Sequence, residues 1–336
     1  MIYFICIFRL RIISKECPQT YLSKSKITQH ISLASLKREF SEHHVTTPQT
    51  LHVLQWNVLA QGLSNPERNF VRVKKETVSF DNRKWRILEQ ILIRQPDLFA
   101  LEEADIYECF LKEHLLKHGY TCFFTPKPKS PCFVFENDSD NFKGPDGVLL
   151  CYKTQLFDEI HRYYYQQSDD DTRGKPFFAI LELKHKPSSK NIIFIGTHLK
   201  SKKSFADLRI TQTDAILQYL TKNYSTQKHV IIAGDFNGES DEPFYDSICK
   251  TGFSSAYRTL LNDTEPPFTT WKFRAHDEVE FEQCGCIDYI FYKPEGFVPI
   301  SMLKLPTKEE IGVNGLPSNE YPSDHLAIET IFNINP

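Results

Sequence analysis

A carboxylate and an amide, Asp235 and Asn237, directly follow a short run of apolar residues. The run, Val-Ile-Ile-Ala at 230–233, predicts a buried strand that ends near Gly234. In an extended segment, a spacing of two places both polar side chains on one face, where they can converge on one small target. A strand that merely runs into a polar turn has the same pattern. The pair therefore needs partners from elsewhere in the chain before it indicates a catalytic site.

Other polar residues of catalytic type stand at or near the ends of predicted strands. The full set is Asn57, Glu103, Asp146, His198, Asp235, Asn237, Asp288, Asp324 and His325. This set suits phosphate-ester hydrolysis aided by one hard divalent cation, because Mg²⁺ takes few protein oxygens and keeps several waters. Asp235 would accept a proton from the attacking water while Asn237 orients that water. Two histidines and a lysine would neutralise the charge that develops on the phosphoryl oxygens.

Each of these groups alone has a simpler structural explanation. Asn57 suits a turn at a strand end, Glu103 a solvated strand end, and Asp324 a cap. His198 or His325 alone is more often a hydrogen-bonded structural histidine. The lysines that follow His198 commonly form a solvated face. None of these explanations gives a reason for the whole set to occur together, so we interpret it jointly as a candidate hydrolytic site.

Strands and helices alternate only in part along the chain. Strands are predicted at 51–58, 97–101, 148–152, 177–183, 191–197, 230–233, 287–292 and 326–331. Helices are predicted from about Asn82 with Asp81 or Asn82 as cap, over 106–118 with Gly119 as its end, from a cap at Ser204 to Tyr219, and after Pro243. Residues 121–145 are predicted to be a long loop. The many strands favour mixed or antiparallel sheets over a doubly wound parallel sheet.

Composition limits the class of protein. The 336 residues are 40% apolar and 25% charged, as in soluble globular proteins, and the net charge of −3 excludes the strongly basic footprint of a general nucleic-acid binder. Nine scattered cysteines, an odd number, predict thiols in a reducing compartment rather than a disulfide framework. They also lack the paired spacing of a structural zinc site.

The N-terminal residues are treated separately. Residues 1–48 are predicted to be a disordered or targeting extension, and residues 50–334 a single catalytic domain. The first eight residues are apolar but too few to span a bilayer. The following stretch is basic and rich in Ser and Thr, which fits a mitochondrial presequence, although Glu16 and Pro18 weaken the match. We therefore expect a cytoplasmic or mitochondrial location, no membrane span and a monomer.

Seven short motifs, in order, resemble the endonuclease/exonuclease/phosphatase superfamily. They are Gln-Trp-Asn-Val-Leu at 55–59, Leu-Glu-Glu-Ala-Asp at 101–105, Gly-Pro-Asp-Gly at 144–147, Gly-Thr-His-Leu-Lys at 196–200, Gly-Asp-Phe-Asn at 234–237, Ile-Asp-Tyr-Ile at 287–290 and Ser-Asp-His-Leu at 323–326. The resemblance covers essentially all of residues 50–334. It implies an α+β fold, a four-layer αββα sandwich in which two mainly antiparallel β-sheets lie face to face with helices outside. It also implies a Mg²⁺ site at one edge, with Mn²⁺ as an alternative ion.

The same resemblance implies a role for each residue of the set. Glu103 corresponds to the principal metal ligand, and Asn57 to a direct or indirect partner of the metal. Asp235 and Asn237 correspond to residues that position the nucleophilic water and the phosphate. His198 and His325 resemble phosphate-contacting histidines, while Asp288 and Asp324 would orient these histidines or the metal-bound waters.

The loops at 124–132, 265–272 and 311–325 resemble one branch of the superfamily, which removes the 2′-phosphate of NADP⁺ and NADPH and is related to messenger-RNA deadenylases. By this resemblance the substrate side includes Lys127, Asp146, Lys200, Lys202 and Arg274. Two positions depart from the branch. Lys202 stands where an arginine is usual, which removes a bidentate phosphate contact. Glu102 replaces a glutamine, and its extra charge would tighten cation binding if it faces the metal and be neutral if it faces away.

Two other functions remain open from the sequence. The shared catalytic core equally suits a 3′-exoribonuclease that shortens poly(A), with RNA as the partner in place of NADP(H). The acidic net charge counts mildly against this reading, because tracking a strand needs an extended basic groove. A non-catalytic nucleotide-binding module would have damaged motifs, whereas all seven are present.

Overall fold

Fourteen strands lie in the part of the chain that the structure describes. The computed structural model describes residues 36, 38–42, 47–64, 69–166, 176–277 and 279–336. The strands are β1 (Thr50–Asn57), β2 (Leu98–Glu102), β3 (Tyr120–Pro126), β4 (Gly147–Lys153), β5 (Phe157–Gln166), β6 (Phe177–His185), β7 (Lys190–His198), β8 (Val230–Asp235), β9 (Ser254–Ser255), β10 (Thr270–His276), β11 (Val279–Gly285), β12 (Asp288–Tyr292), β13 (Phe297–Met302) and β14 (Ile328–Ile334). Twelve of them form two six-stranded sheets, and β10 and β11 form a separate hairpin.

The helices connect these strands. They are α1 (Lys75–Val78), α2 (Phe80–Arg94), α3 (Lys112–Lys117), α4 (Ala206–Tyr224), α5 (Pro243–Lys250), α6 (Ala256–Leu260) and α7 (Lys308–Ile311). Short 3₁₀ turns occur at Gln61–Leu63, Pro131–Phe135 and Lys203–Phe205, and a π-helical turn at Tyr107–Leu111. Among the described residues, no helix combines the length and apolar character needed to cross a membrane.

Each sheet contains one parallel pair of strands. The first sheet has the spatial order β13, β14, β1, β2, β4, β3, and the second has β5, β6, β7, β8, β12, β9. Only β1 with β2 and β7 with β8 are parallel. Parallel neighbours need a crossover, which α2 supplies in the first sheet and α4 in the second. The register places Asn57 beside Glu102 and His198 beside Asp235, so polar residues collect at the carboxyl ends of both pairs.

Apolar side chains from both sheets fill the layer between them. Val53 of β1 and Ala233 of β8 belong to the same buried cluster. Because side chains alternate along a strand, the opposite faces remain to contact helices. Ile232 of β8 packs there with Leu217 of α4, and α2 buries Leu88 with its neighbours. The predicted four-layer sandwich with mainly antiparallel sheets is confirmed.

Three helix predictions need correction. α2 begins at Phe80 with Ser79 as the N-cap residue, two positions before the predicted start, because the Phe80 ring already packs against Phe110. Ser204 does not cap α4, since it lies within a 3₁₀ turn, and the helix runs from Ala206 to Tyr224, beyond the predicted end. The helix predicted over 106–118 is a π-helical turn followed by α3.

The strands at the four edges of the two sheets, β3, β5, β9 and β13, were not predicted from the sequence, nor were the two strands of the separate hairpin, β10 and β11. The predicted loop at 121–145 begins instead with β3, which pairs with β4 and ends at Pro126. Proline is tolerated there because an edge strand does not need every N–H. β5 forms the edge of the second sheet, and most of its side chains are exposed, so the alternation that signals a half-buried strand is missing.

Residues 38–42 pair with the far edge of the first sheet. The Ser41 N–H donates to the Met302 carbonyl at 2.8 Å, and the Lys304 N–H donates to the Glu39 carbonyl at 2.9 Å. Between these bonds, Phe40 forms a bridge with Leu303. Most of the predicted extension at 1–48 lies outside the described residues, and its character stays a prediction.

Candidate active site

One amide side chain, Asn57, joins the two sheets at the candidate site. Its Nδ2 donates to Glu103 Oε1 at 3.1 Å and to Asp235 Oδ2 at 2.9 Å, and its Oδ1 accepts the Leu59 N–H at 3.0 Å. Glu103 follows β2 at a φ of +56°, is partly exposed, and accepts the Ala60 N–H at 3.0 Å. In this arrangement Asn57 bridges two carboxylates through its amide nitrogen, and its oxygen accepts one backbone hydrogen bond. Its predicted role as a direct or indirect partner of the metal stays a prediction.

Asn237 does not share an extended face with Asp235, contrary to the expectation from their spacing. β8 ends at Asp235, and Asn237 has a φ of +52°, so the chain has turned. The Asn237 N–H donates to Asp235 Oδ1 at 2.8 Å, and its side-chain Nδ2 donates to the Leu199 carbonyl at 3.1 Å. The backbone of Asn237 therefore holds the Asp235 carboxylate, and its predicted role as the aligner of water stays a prediction.

His325 lies among three carboxylates. Its Nδ1 is 2.9 Å from Asp288 Oδ2, and its Nε2 is 3.8 Å from Asp324 Oδ2 and 3.9 Å from Asp235 Oδ2. Burial by itself would lower the pKa of the imidazole, but the carboxylates, led by Asp288, outweigh burial and raise the pKa to about 10. His325 therefore brings a positive charge to the site at neutral pH.

Two partners of these carboxylates were not identified from the sequence. The Lys272 ammonium pairs with Asp324 Oδ2; although burial opposes it, this charge holds the pKa of Asp324 below its usual value. The Thr269 hydroxyl donates to Asp288 Oδ2 at 2.6 Å. Thr269 immediately precedes β10 and Lys272 lies within it, in the stretch already noted as a substrate-side loop. The resemblance of this loop to the superfamily branch was the one sign in the sequence that Thr269 and Lys272 lie near the substrate. Their contacts with Asp288 and Asp324 could not be predicted, because they depend on the fold.

Lys127 reaches the site from the loop that follows β3. Its Nζ lies 2.9 Å from His198 Nδ1 and 3.2 Å from Asp146 Oδ2. Ser130 fixes Asp146, because its hydroxyl donates to Asp146 Oδ1 and accepts the Asp146 N–H at 2.9 Å. Burial and neighbouring cations, led by Lys127, lower the pKa of His198 well below its usual value. His198 is therefore a neutral imidazole, with Nε2 at 3.6 Å from Asp235 Oδ2.

The Asp235 carboxyl lies near both histidines, with Oδ2 at 3.6 Å from His198 Nε2 and 3.9 Å from His325 Nε2. Burial raises its pKa to about 7, and the charge of Asp288 adds to the rise. His325 opposes the rise, as do the hydrogen bonds from Asn57 and Asn237. A carboxylate with a pKa near neutral can both accept a proton and release it again, which is the property needed in a general base.

A buried amide–carboxyl pair lies behind the more exposed groups. Gln55 Nε2 donates to Glu102 Oε2 at 2.7 Å and to Asp288 Oδ1 at 3.0 Å. Burial, reinforced by the charges of Asp288 and Asp235, raises the pKa of Glu102 well above its usual value. The raised pKa favours the protonated form of Glu102, which adds less charge to a cation site than an ionised carboxylate would. Gln55 opens the motif at 55–59, but nothing in the sequence marks its side chain as a bridge between two carboxyl groups.

The raised pKa of Glu102 makes the free energy of unfolding depend on pH. In the unfolded chain this glutamate ionises near pH 4.5, whereas in the fold its pKa lies well above that value. Unfolding then releases a proton above that pH, so stability falls as pH rises, by up to about 1.4 kcal/mol per pH unit. We expect Glu102→Gln to be more stable than the native protein near pH 8, with the gain vanishing near pH 4.5. Urea unfolding in metal-free buffer measures this gain, and a gain that is constant with pH would contradict the prediction.

The remaining predicted basic residues differ in their distance from the acidic groups. Lys200 is near enough to His198 to help lower the pKa of that imidazole. Lys202 is exposed at a φ of +82°, and Arg274 donates to Gln283 at 3.2 Å across the hairpin of β10 and β11. Within the described residues, no hydrogen bond or ion pair links Lys202 or Arg274 to the acidic groups of the site.

The donors of the site fit a hard divalent cation. Five carboxylates face three cationic side chains; these are Glu103, Asp146, Asp235, Asp288 and Asp324, with Lys127, Lys272 and His325. This excess of negative charge would repel a phosphate dianion unless a divalent cation offset it. In the described chain, ligand atoms of Asp235, Asp288 and His325 lie within 4.8 Å of one another. Glu103 is partly exposed and shares the Asn57 amide with Asp235, and its predicted role as the principal metal ligand stays a prediction.

Known proteins share both the sequence motifs and the architecture. The sequence model of the endonuclease/exonuclease/phosphatase family matches residues 54–325. Nocturnin of Xenopus laevis is 33% identical over 327 residues, covering 95% of this chain and 82% of that protein. The structure of the human nocturnin catalytic domain with bound sulfate anion superposes with a TM-score of 0.70 at 29% identity, covering 89% of this chain and 98% of that one.

A more distant relative is an exonuclease. The CCR4-Not complex 3′-5′-exoribonuclease subunit Ccr4 of Saccharomyces cerevisiae is 24% identical over an alignment of 361 residues, which covers 94% of this chain and 41% of that protein. The family match spans every residue assembled above, and nocturnins are among the relatives of the chain. This chain therefore belongs to the endonuclease/exonuclease/phosphatase family.

Proposed function

We propose that this chain is a Mg²⁺-dependent phosphatase that hydrolyses the 2′-phosphate of NADP⁺ and NADPH, giving NAD⁺ or NADH and inorganic phosphate. The loops at 124–132, 265–272 and 311–325 support this substrate by their resemblance to the NADP(H)-hydrolysing branch. The relationship to nocturnins supports the same branch. The human nocturnin catalytic domain carries a bound sulfate, a tetrahedral anion like phosphate.

The observation that carries the proposal is the position of Lys127. Its ammonium, 2.9 Å from His198 Nδ1, joins the protonated His325 in placing two positive charges near Asp235. A terminal phosphate monoester carries a charge of about −1.5 to −2 at neutral pH, whereas each backbone phosphodiester of a nucleic acid carries only one. Two cationic side chains and a divalent ion at one point favour the more highly charged monoester.

The protein side chains would divide the work as follows. Asp235 takes a proton from the attacking water, and Asn57 and the Asn237 N–H hold the carboxylate in place. His325, kept protonated by Asp288, stabilises charge on the phosphoryl oxygens. Glu103 would hold the Mg²⁺ or Mn²⁺, and the ion would supply charge neutralisation at the phosphoryl group.

A second candidate function is 3′-exoribonuclease activity on poly(A). The relationship to Ccr4, named as a 3′-5′-exoribonuclease, favours it, since the same core groups would serve phosphodiester cleavage. The two functions differ in the product that each substrate yields. Incubation of the protein and Mg²⁺ with NADPH or with oligo(A), in parallel, separates them.

We expect free phosphate and NADH in equal amounts, with oligo(A) left intact, and the same result with Mn²⁺. Shortening of oligo(A) without phosphate release from NADPH would establish the exoribonuclease instead. Nucleotide binding without turnover of either substrate would point to a non-catalytic module.

Removing the Lys127 charge tests the observation that carries the proposal. We expect Lys127→Met to lower kcat/KM for NADPH about tenfold to a hundredfold, because one donor to the phosphoryl group is lost. Lys112→Met is the matched control: Lys112 is exposed on α3, where its ammonium pairs with Glu108 and lies 6.0 Å from the centre of the Tyr107 ring, so kcat/KM should not change. Phosphate release measures kcat/KM for both variants. Equal kcat/KM values for Lys127→Met and Lys112→Met would show that Lys127 does not contact the phosphate.

Lys202 tests whether the exposed turn after β7 contacts the substrate. If it does, Lys202→Arg should lower the KM for NADPH severalfold, because a guanidinium binds phosphate through two parallel hydrogen bonds. The left-handed φ of +82° affects both side chains alike, so the fold should not change. Steady-state kinetics measure the effect, and an unchanged KM would identify Lys202 as a solvated surface residue.

A further inference from the structure

Two cysteine sulfurs on neighbouring strands lie in contact. Cys122 of β3 and Cys151 of β4 are directly opposite each other in the antiparallel register, and their Sγ atoms are 2.9 Å apart. All seven cysteines of the described residues are free thiols. This pair is hidden in the sequence, because its members are 29 positions apart. The pair is also separate from the candidate active site.

The place of the pair in the strand ladder suits a cross-strand disulfide. At the end of the hairpin, the Lys127 N–H donates to the Asp146 carbonyl at 2.8 Å, which defines a hydrogen-bonded pair. Hydrogen-bonded pairs alternate with non-hydrogen-bonded pairs along an antiparallel ladder. The Cys122–Cys151 pair is an odd number of positions from the Lys127–Asp146 pair, so it is a non-hydrogen-bonded pair. The Cα atoms of such pairs are about 4.5 Å apart, inside the range of about 4.4–6.8 Å that disulfides span.

The two sulfurs differ in access to solvent. Cys122 is half-buried on the edge strand β3, whereas Cys151 is buried on β4, the next strand of the sheet. Burial, and then the neighbouring Cys122 thiol, raise the pKa of Cys151 well above its usual value. An oxidant in solution therefore meets Cys122 first, and Cys151 is protected from direct oxidation until its neighbour has reacted.

We propose that Cys122 and Cys151 form a redox-sensitive dithiol that hydrogen peroxide converts into an intrachain disulfide. The Cys122 thiolate attacks one peroxide oxygen, the O–O bond breaks, and the departing hydroxide takes a proton to leave as water. Cys122 is then a sulfenic acid. The Cys151 sulfur attacks the Cys122 sulfur, the S–S bond forms as the S–O bond breaks, and the Cys151 proton leaves with the oxygen as a second water. Two thiols are oxidised by two electrons, and the peroxide is reduced to water.

The disulfide would join two strands that lead to the candidate site. β3 continues into Lys127, and β4 begins directly after Asp146. A backbone hydrogen bond and an ion pair connect these two residues. Closure of the disulfide would tie the edge strand β3 covalently to β4. The inference goes beyond the proposed function and rests on the cysteine geometry alone, so it holds whichever phosphate ester is the substrate.

The test is peptide mapping of the full-length protein after exposure to a small excess of hydrogen peroxide. Remaining thiols are alkylated, and the protein is digested with trypsin without reduction. We expect one dominant cross-link, between the peptide 118–129 that contains Cys122 and the peptide 144–153 that contains Cys151. The cross-link should disappear after treatment with a thiol reductant. Free Cys151 alongside Cys122 oxidised to sulfinic acid would overturn the proposal.

Two variants separate the proposed order of events from general thiol oxidation. In Cys151→Ser the Cys122 sulfenic acid has no partner, so a sulfenic-acid-specific diketone probe should label Cys122. Cys284→Ser is the matched control, because Cys284 is also half-buried and lies two positions from Cys286; it should form the same cross-link as the native protein. Circular dichroism verifies that each variant is folded. Labelling of Cys151 rather than Cys122 in the native protein, or a dominant cross-link that involves Cys284, would contradict the assignment.

Discussion

Replacement of Asp235 by asparagine is expected to lower kcat for phosphate release by about a thousandfold. Asparagine has nearly the same shape but cannot accept a proton, and a positioned general base commonly contributes about 10²–10⁴ to the rate. The Asn57 amide donates to Asp235 Oδ2 and the Asn237 N–H to Oδ1, so the single oxygen of asparagine keeps only one of these two hydrogen bonds. We expect the fold to be retained at a somewhat lower stability, because one lost hydrogen bond costs about 1–3 kcal/mol. Substrate affinity should change far less than kcat.

The pH dependence of the native enzyme offers a second measurement of the same role. Only ionised Asp235 accepts a proton, so activity should fall as pH drops below the pKa of this carboxyl, which is about 7 in the metal-free protein. A bound cation favours the ionised form, so the acidic limb should move to lower pH as Mg²⁺ is raised. Asp246→Asn is the matched control for Asp235→Asn, since Asp246 is exposed and pairs with Lys250 at 3.9 Å. A kcat for Asp235→Asn within tenfold of native would exclude Asp235 as the base.

Replacement of Glu103 by alanine is expected to abolish metal-dependent turnover while leaving the protein folded. The carboxylate is the site's most accessible oxygen donor, and its loss should weaken cation binding by about a hundredfold or more. Glutamate and alanine both carry a Cβ, so the left-handed φ of +56° places no new demand on the backbone. The substitution removes the hydrogen bonds to Asn57 and to the Ala60 N–H and the attraction of this carboxylate for Arg83.

Titration calorimetry with Mg²⁺ and Mn²⁺ measures the affinity, and phosphate release measures the turnover. Glu102→Gln is a matched control from the adjacent position, because Glu102 is buried and hydrogen-bonded to Gln55, and its raised pKa favours the neutral acid. It should bind the cation as the native protein does. Native-like affinity in Glu103→Ala would show that another carboxylate is the principal ligand.

The central strands could be predicted from the sequence because their apolar runs are long and buried on both faces. β8 and β12 are examples, since every residue in each is buried. The edge strands could not: β5 exposes most of its side chains, and β3 leads into a Pro-rich loop. The continuous apolar runs of the buried strands, rather than strand propensity, made these strands predictable. Strands that are partly exposed to solvent have a mixture of polar and apolar residues that a loop would also have.

Some residues of the candidate site could likewise be predicted from the sequence, and others could not. Asp235, Asp288 and His325 stand at strand ends within short motifs, so their residue types and order were enough to group them. Gln55 and Lys272 could not be grouped, because their roles arise from contacts with residues more than fifty positions away. The turn at Asn237 shows a further limit of the sequence, since residue spacing alone does not reveal a left-handed backbone conformation.

The apolar layer between the sheets sets the distance across the candidate site. Glu103 follows a strand of one sheet and Asp235 ends a strand of the other, yet both accept hydrogen bonds from one amide. Sheets packed face to face lie about 10 Å apart, a separation fixed by the volumes of the side chains between them. Ala100 of β2 and Ala233 of β8 lie in this layer and are among its smallest members. The thickness of the sandwich is therefore a catalytic parameter, and turnover should respond to core volume at positions that never touch the substrate.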